Sequence, residues 1–353
     1  MWKSINYSEE KLQEMVNMTI DNYGESESIS HIEFVIHEYF KNPSGNAIVK
    51  LAYDEDNKVL AGQYVINPHK FYCFGQEENA ALSLNTLTKK EYRGQGVFTG
   101  LANDAFQQAK EENFSFCYGA PNPNSHPGFI KKLGFSDLCT MPLFVRPLKV
   151  SQMVKEKTNT FLSVLCYPLN LFSLVRKVRD NNIVEIDEQN VQMMDDFWNS
   201  VSNKYRVIGI RDAKYIKYRY LNVPTRDYHP YVYLVEGKPV AFVASRIRKV
   251  ANMTTGMIAD FIFVDGYEKQ AIKLIKYITK KNKELGAGLS GCIMLSHSRE
   301  VKILKKAHFV KCPNKLLPQP TPLIIRIFDE KLIEKGIMDI KNWFFTTGDY
   351  DVV

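Results

Sequence analysis

Arg93, Gly94 and Gly96 stand close together in the stretch YRGQGVFTG, residues 92–100. The run AALSLNTLT before them reads as a β-strand, and the run after them reads as a helix. A strand, a glycine-rich turn and a helix N-terminus together suit a phosphate. Backbone N–H groups converge there, the helix dipole adds positive potential, and glycine lets the backbone come close. The spacing is neither GxGxxG nor the P-loop pattern, which needs Lys-Ser/Thr after its second glycine. Metal chemistry has no comparable signal. His31 and His37, six residues apart in HIEFVIH, fall on different faces of a helix, and no His/Cys cluster has ligand spacing.

The elements that must position this turn follow from the rest of the chain. With 353 residues, of which 45% are hydrophobic and 24% charged, two globular domains are expected. The net charge of +7 suits an anionic ligand without demanding nucleic acid, which is not expected as a partner. Cys73, Cys117, Cys139, Cys166, Cys292 and Cys312 are scattered without a CxxC pair, as in a reducing cytoplasm. The opening MWKSINYSEEKLQEM carries early acids and no apolar core, so it does not read as a signal peptide. The apolar run FLSVLCYPLNLFSLV, 161–175, is shorter than the ~20 residues of a spanning helix and is interrupted by Pro168 and Asn170. It reads as a buried connector over 151–181, its basic flanks leaving a membrane-surface segment as the alternative.

A pass along the chain shows a repeat. NAIVKLAYDEDNKVLAGQYVIN reads as a hairpin turning at Asp54–Lys58. AALSLNTLT is a third strand, 97–112 a helix with Val97, Leu101, Ala105 and Ala109 on one face, FSFCYGAP a strand, and GFIKKLGF a short helix. The second half repeats the plan with the hairpin YVYLVEGKPVAFVASRI, the strand GMIADFIFVDG, the helix YEKQAIKLIKYITKKNKEL, the strand GCIMLS and the short helix ILKKAHF. FIKKLGF and ILKKAHF lie 174 residues apart. A repeat of this length is a duplicated domain, not a solenoid.

This order of elements around RGQG resembles the GNAT superfamily of acyl-CoA N-acyltransferases over roughly residues 35–145. The resemblance implies an α+β fold of two tandem GNAT-like domains, each a mixed, mostly antiparallel sheet flanked by helices. It places a coenzyme-binding domain at 1–150, the connector at 151–181, and a degenerate copy with its C-terminal tail at 182–353. The family binds the coenzyme A pyrophosphate with Arg/Gln-x-x-Gly-x-Gly/Ala. Arg93, Gly94, Gln95 and Gly96 fit its first four places, and Phe98 takes the last, where its side chain is expected to point away from the ligand. The cradle is thus Arg93–Thr99, Val97 and Phe98 included, with Leu87 and Thr88 pairing with the pantetheine arm as an added strand does. Asn122 or Asn124 resembles the family's asparagine that bonds the arm. The second copy has YEKQAIK where the glycine turn should be, and is not expected to hold coenzyme.

The implied activity is transfer of an acyl group, acetyl in the usual case, from acetyl-CoA or another acyl-CoA to a small amine or amino sugar. Such chemistry needs a base for the ammonium and often an acid for the leaving thiolate. The family's usual acid tyrosine is replaced by Ile130. Tyr118 and His126 in CYGAPNPNSHPGF are the substitutes, and the carboxylate of Val353, Asp349 or Asp351 is a third option, because some tandem relatives use their terminal carboxylate as base. Two other readings are a peptidoglycan-type aminoacyltransferase using aminoacyl-tRNA, which would give the lysine-rich helix 268–284 a partner, and a non-catalytic coenzyme-A-binding scaffold.

Overall fold

The computed structural model describes residues 1–25, 27–149, 151, 180–250, 252–317 and 319–350. Most of the apolar connector, Cys166, Asp351 and Val353 lie outside the described residues. Two compact units emerge, neither continuous in sequence. The first comprises Met1–Cys139, Asn222–Arg226 and Pro322–Asn342; the second comprises Thr140–Leu221, Asp227–Thr321 and Trp343–Val353.

The strands in chain order begin with β1 (Trp2–Asn6), β2 (Ile48–Asp54), β3 (Val59–Cys73), β4 (Gln76–Thr88), β5 (Phe116–Gly119) and β6 (Ser136–Thr140). Their helices are α1 (Leu12–Tyr23), α2 (Ile32–Phe40), α3 (Val97–Glu111) and α4 (His126–Lys132). The second stretch holds β7 (Leu143–Pro147), β8 (Ile183–Glu185), β9 (Val207–Gly209), β10 (Tyr228–Val235), β11 (Lys238–Val250), β12 (Met253–Phe263), β13 (Leu289–Ile293) and β14 (Val310–Lys311). With them run α5 (Met193–Val201), α6 (Ala213–Ile216), α7 (Glu268–Glu284) and α8 (Arg299–Lys306). β15 (Pro322–Ile327) and α9 (Lys331–Glu334) close the chain's regular structure.

The first sheet runs β1-β2-β3-β4-β5-β15-β6 and the second β14-β7-β13-β12-β11-β10-β8. Each therefore contains a strand from the other's stretch of sequence: β15 follows β5 in the first sheet, and β7 lies between β13 and β14 in the second. Within each, one central pair is parallel, β4–β5 and β12–β13, among antiparallel neighbours. The mixed α+β architecture of two similar halves is thus observed.

Local chemistry explains the turns. The β2–β3 hairpin closes where Asp54 Oδ1 accepts the N–H groups of Asp56 and Asn57 at 3.1 and 3.3 Å, with Lys58 left-handed at φ 55°. β3 and β4 join through Phe74 and Gly75, at φ 50° and 94°, the two left-handed residues a tight hairpin turn requires. α3 buries Val97, Leu101, Ala102, Ala105, Phe106 and Ala109 on one face of the first sheet, against Tyr64, Ile66, Ala81 and Cys117. Each larger side chain so buried contributes ~1.5–3 kcal/mol, enough to hold the α3 N-terminus at a fixed place beside β4. The opposite face of the same strands carries Gln63, Val65, Asn67 and His69, which alternate with Tyr64 and Ile66. Among the described residues no helix is long and apolar enough to cross a membrane.

Candidate active site

β4 ends at Thr88, and a short turn leads through Arg93, Gly94, Gln95 and Gly96 into α3. Gly94 and Gly96 take φ 79° and 77°, a left-handed conformation that costs any other L-residue energy. The loop is tied down through its carbonyls. Arg93 Nε donates to Thr88 O at 3.3 Å, Gln95 Nε2 to Glu91 O at 2.9 Å, Trp2 Nε1 to Gln95 O at 3.1 Å and Thr99 Oγ1 to Gly96 O at 3.0 Å. The amides of Val97, Phe98 and Thr99 stand at the helix start, where no preceding turn supplies acceptors. The first turn of α3 carries no acid that would neutralise them. A Cβ on Gly94 would meet nothing within 4 Å, and one on Gly96 only Thr99 Oγ1 at 4.0 Å, so the outer side is open. These are the features of a cradle for a doubly charged pyrophosphate. Val97 turns its side chain into the core, leaving only its amide for the ligand. Phe98 does likewise, its ring 5.4 Å from Phe129 and 6.0 Å from Tyr64.

Tyr92, just before the cradle, donates its hydroxyl to Asp54 Oδ2 at 2.7 Å. That bond first, and those from Asn57 second, hold the Asp54 carboxyl well below the usual carboxylate range. A depressed carboxylate stabilises the fold above its unfolded pKa and loses that contribution as pH falls towards its folded pKa. Tyr92→Phe is therefore expected to move the midpoint of acid unfolding upward, followed by circular dichroism from pH 5 to 2 (about the range over which an unfolded Asp titrates). An unchanged midpoint would show that Asp54 does not anchor the loop.

Beyond the middle of β4 the sheet opens. The parallel ladder pairs Ala80, Ala81 and Leu82 with Phe116, Cys117 and Tyr118, and stops there. β4 then carries a bulge: Val65 pairs with Leu84 and Gln63 with Leu87, so Tyr64 faces both Asn85 and Thr86. Asn85 is left-handed at φ 48°. Its Nδ2 donates to Glu38 Oε2 at 3.0 Å and the Tyr39 hydroxyl at 2.8 Å, while Gln63 Nε2 donates to Asn85 O at 3.0 Å. Asn67 Nδ2 bonds Glu38 O at 3.0 Å. Leu87 is buried opposite Gln63, and Thr88 is half-buried opposite Gly62. Tyr118, fully buried at the ladder's end, shares a 2.6 Å hydrogen bond with His69 Nδ1. Its ring lies 5.3 Å from Phe71, which is 5.4 Å from Phe116. Gln63, Asn67, His69 and Glu38 are all 6% exposed or less, a polar cluster that the sequence reading did not single out. Their one sequence signal is the two-residue alternation of Gln63, Asn67 and His69, which an exposed strand face would show equally.

The remaining sequence candidates lie elsewhere in the first unit. Asn122 Oδ1 accepts the N–H groups of Asn124 and Ser125, both at 3.0 Å, so it shapes the turn into α4. Asn124 is exposed beside it. His126 Nε2 pairs with Asp137 Oδ1 at 2.7 Å, whereas Tyr118 pairs with His69. Ile130 is half-buried against the apolar core, as its side chain requires. Among the described residues no His/Cys/Asp/Glu cluster could hold a metal.

The family model of the GNAT acetyltransferase domain matches residues 4–137, the stretch that contains the cradle, the bulge and the ladder end. Residues 4–137 thus carry the GNAT domain pattern. No curated protein sequence matches the chain. Solved structures extend the likeness to both halves. A GCN5-related N-acetyltransferase from Anabaena variabilis superimposes with TM-score 0.63 at 13% identity, over 93% of this chain and 73% of that one. A probable N-acyltransferase from Enterococcus faecalis gives 0.59 at 14% identity, over 94% and 74%. The N-myristoyltransferase of Saccharomyces cerevisiae with bound myristoyl-CoA gives 0.66 at 11% identity, over 93% and 82%. At these identities the likeness is one of fold.

The second GNAT-like unit builds neither half of such a site. Between β12 and α7, Asp265 and Gly266 replace the arginine-glycine turn, and Glu268 opens the helix. The Arg299 guanidinium bonds Asp265 and the Phe263 carbonyl there. The Glu268 carboxylate in the first turn of α7 disfavours a phosphate there. The parallel ladder of β12 and β13 also ends early, at Ile258 and Cys292. The gap beyond holds the chain's own C-terminal segment. Thr346 bridges to Met294, Thr347 Oγ1 donates to Ala259 O at 3.0 Å, and Thr346 Oγ1 donates to Asp260 Oδ1 at 3.0 Å. Asp349 is buried and bonded to Arg211, which makes it an anchor of this segment.

Proposed function

We propose that this protein transfers an acyl group, acetyl by preference, from acyl-CoA to a small amine or amino sugar. The observation that carries the reading is the alignment of two features on one strand: the pyrophosphate cradle at the C-terminal end of β4 and the opening beside its middle. From Thr88 back to Leu82 is six residues, ~20 Å at ~3.3 Å each, the reach of an extended pantetheine arm. The thioester would then lie at the ladder's end, beside Tyr118. The packed rings of Phe71, Phe116 and Tyr118 leave little room beyond that point, which favours a short acyl group. Free thiols at Cys73, Cys117, Cys139, Cys292 and Cys312 suit a cytoplasmic site of action.

In this reading Arg93–Thr99 hold the pyrophosphate, Leu87 and Thr88 flank the arm, and Asn122 with Asn124 border it from the α4 side. The amine nitrogen attacks the thioester carbonyl, the C–S bond breaks, and the thiolate takes a proton. Tyr118 is the group to give it, with His69 behind its hydroxyl to replace it. His126, paired with Asp137, is the candidate to receive the amine's proton. Holding the amine against the thioester supplies much of the acceleration by itself, so turnover is expected to be real without either group.

The test measures acetyl-CoA and myristoyl-CoA binding by calorimetry, then acetyl transfer to a panel including spermidine, glucosamine and kanamycin. One acetyl-CoA should bind per chain. Tyr118→Phe should lower kcat about 10²–10⁴-fold and flatten one limb of the pH–rate profile, with coenzyme affinity unchanged. A wild type that binds acetyl-CoA but acylates no amine would leave a non-catalytic coenzyme-binding protein. A variant as fast as wild type would remove Tyr118 from the mechanism.

A further inference from the structure

The cradle leans on a residue far from it in sequence. Trp2, the first residue of β1, stands opposite Asp54 in the β1–β2 ladder. Asp54 holds the Tyr92 hydroxyl just before the cradle. Trp2 reaches the cradle itself: its indole Nε1 donates to the Gln95 carbonyl at 3.1 Å. The ring is half-buried, packed against the core cluster of the first unit, and lies on the backbone of α3 at Gly100. A Cβ on Gly100 would stand 2.7 Å from the ring carbon Cη2, too close for two carbon atoms. Glycine inside a helix costs stability relative to alanine. Here it makes room for the indole, which spans the start of α3 from residue 95 to residue 100.

A peptide unit is planar and trans, so its C=O and N–H point in opposite directions. Tying the Gln95 carbonyl to the indole therefore turns the Gly96 N–H away from the indole. Among the described residues no protein acceptor takes that N–H. Gln95 sits between two left-handed glycines, Gly94 and Gly96, whose own backbones restrain this peptide least. The indole, a donor with no acceptor of its own, supplies the restraint that the glycines lack. We infer that Trp2 is a positioning residue for the coenzyme, fixing the Gln95–Gly96 peptide so that the Gly96 N–H faces the pyrophosphate. Trp2 acts through that peptide and not by touching the ligand. This role rests on the acyl-CoA reading and deepens it: the cradle is aimed from β1, at the edge of the sheet, as well as by its own glycines.

The test watches that one peptide. Gln95–Gly96 is the only Gln-Gly pair in the chain. Protein labelled in the glutamine carbonyl carbon and the glycine nitrogen therefore shows a single amide, Gly96 N–H, in a carbonyl-filtered NMR spectrum. Saturating wild type with coenzyme A should move this signal downfield, as a hydrogen bond to phosphate does. Two variants disturb the contact from opposite sides. Trp2→Phe keeps a ring and removes the N–H; Gly100→Ala keeps the N–H and displaces the ring. Thermal unfolding confirms that each is folded, and if Trp2→Phe is not, Gly100→Ala carries the test. Each should shrink the downfield shift and weaken coenzyme A binding by calorimetry about fivefold, or ~1 kcal/mol. Gly100→Ala should do so although alanine is the better helix former. The double variant should bind about as weakly as either single one, since both act on the same peptide. Folded variants with affinity within about twofold of wild type would overturn the role of Trp2 alone. A loss of affinity with an unchanged Gly96 shift would also overturn it, since Trp2 would then act elsewhere. A wild type that binds no coenzyme A would overturn the coenzyme reading, and the role of Trp2 with it.

Discussion

Gly96→Val should abolish coenzyme A binding while leaving the first unit folded. Gly96 sits at φ 77° immediately before α3. A left-handed conformation costs an ordinary L-residue roughly 1–2 kcal/mol, and a β-branched one more. The loop is exposed, and a Cβ there would meet only Thr99 Oγ1 at 4.0 Å, so the strain has no core to damage. It is relieved instead by turning the peptide units around residue 96, and those units aim the amides of Val97, Phe98 and Thr99. A hydrogen bond to a charged phosphate is worth about 1.5–3 kcal/mol, so misdirecting two of them costs ~3–6 kcal/mol, more than a hundredfold in affinity. Calorimetry should show no coenzyme A binding at concentrations that saturate wild type, with a melting temperature only a few degrees lower. Normal affinity in the valine variant would mean that the pyrophosphate lies elsewhere.

The parts of this site that could be read from sequence are those made of consecutive residues. The glycine turn, the strand before it and the helix after it depend on local backbone preference, and α3 begins at Val97 as the pattern of Val97, Leu101, Ala105 and Ala109 implies. The hairpin turn at Asp54–Lys58 is legible for the same reason. Three other features were hidden because they depend on distant partners. The exchange of β7 and β15 between the two sheets involves strands whose own patterns say nothing about which sheet they join. The cluster of Gln63, Asn67, His69 and Glu38 looks in sequence like polar positions facing water, and only the folded chain shows them buried. Asn85 reads as an ordinary strand residue until the pairing of Gln63 with Leu87 and Val65 with Leu84 reveals the bulge. The polar groups of this candidate site are concentrated where local pattern and tertiary position disagree, a mismatch that functional sites commonly show.

Arg211→Met should be the most damaging single change in the second unit. The guanidinium is completely buried and bonds Asp260 through Nε at 3.0 Å, Asp349 Oδ2 through Nη2 at 2.7 Å and Gly209 O through Nη1 at 2.6 Å. Burial works against its charge, but the two carboxylates outweigh burial and hold its pKa well above the ordinary arginine value. Methionine fills the space and removes the charge, leaving Asp260 and Asp349 buried against each other. Breaking a buried pair in this way costs about 3–5 kcal/mol, or ~6–20 °C in the melting temperature of a unit this size. The damage should be directional. Asp349 also accepts the Thr346 N–H at 3.0 Å, and Thr346 and Thr347 hold the C-terminal segment on Asp260 and Ala259. Without Arg211 the clamp on that segment is lost, and the gap beside β12 should lose its filling first. Hydrogen exchange read by mass spectrometry should therefore rise most in residues 343–350, before global unfolding. The triple variant Arg211→Met, Asp260→Asn, Asp349→Asn separates charge from packing. It should recover much of the lost stability, because the carboxylates that methionine leaves uncompensated are gone. A single variant that melts like wild type, or a triple variant no better than the single, would show that this buried charge network does not hold the segment in place.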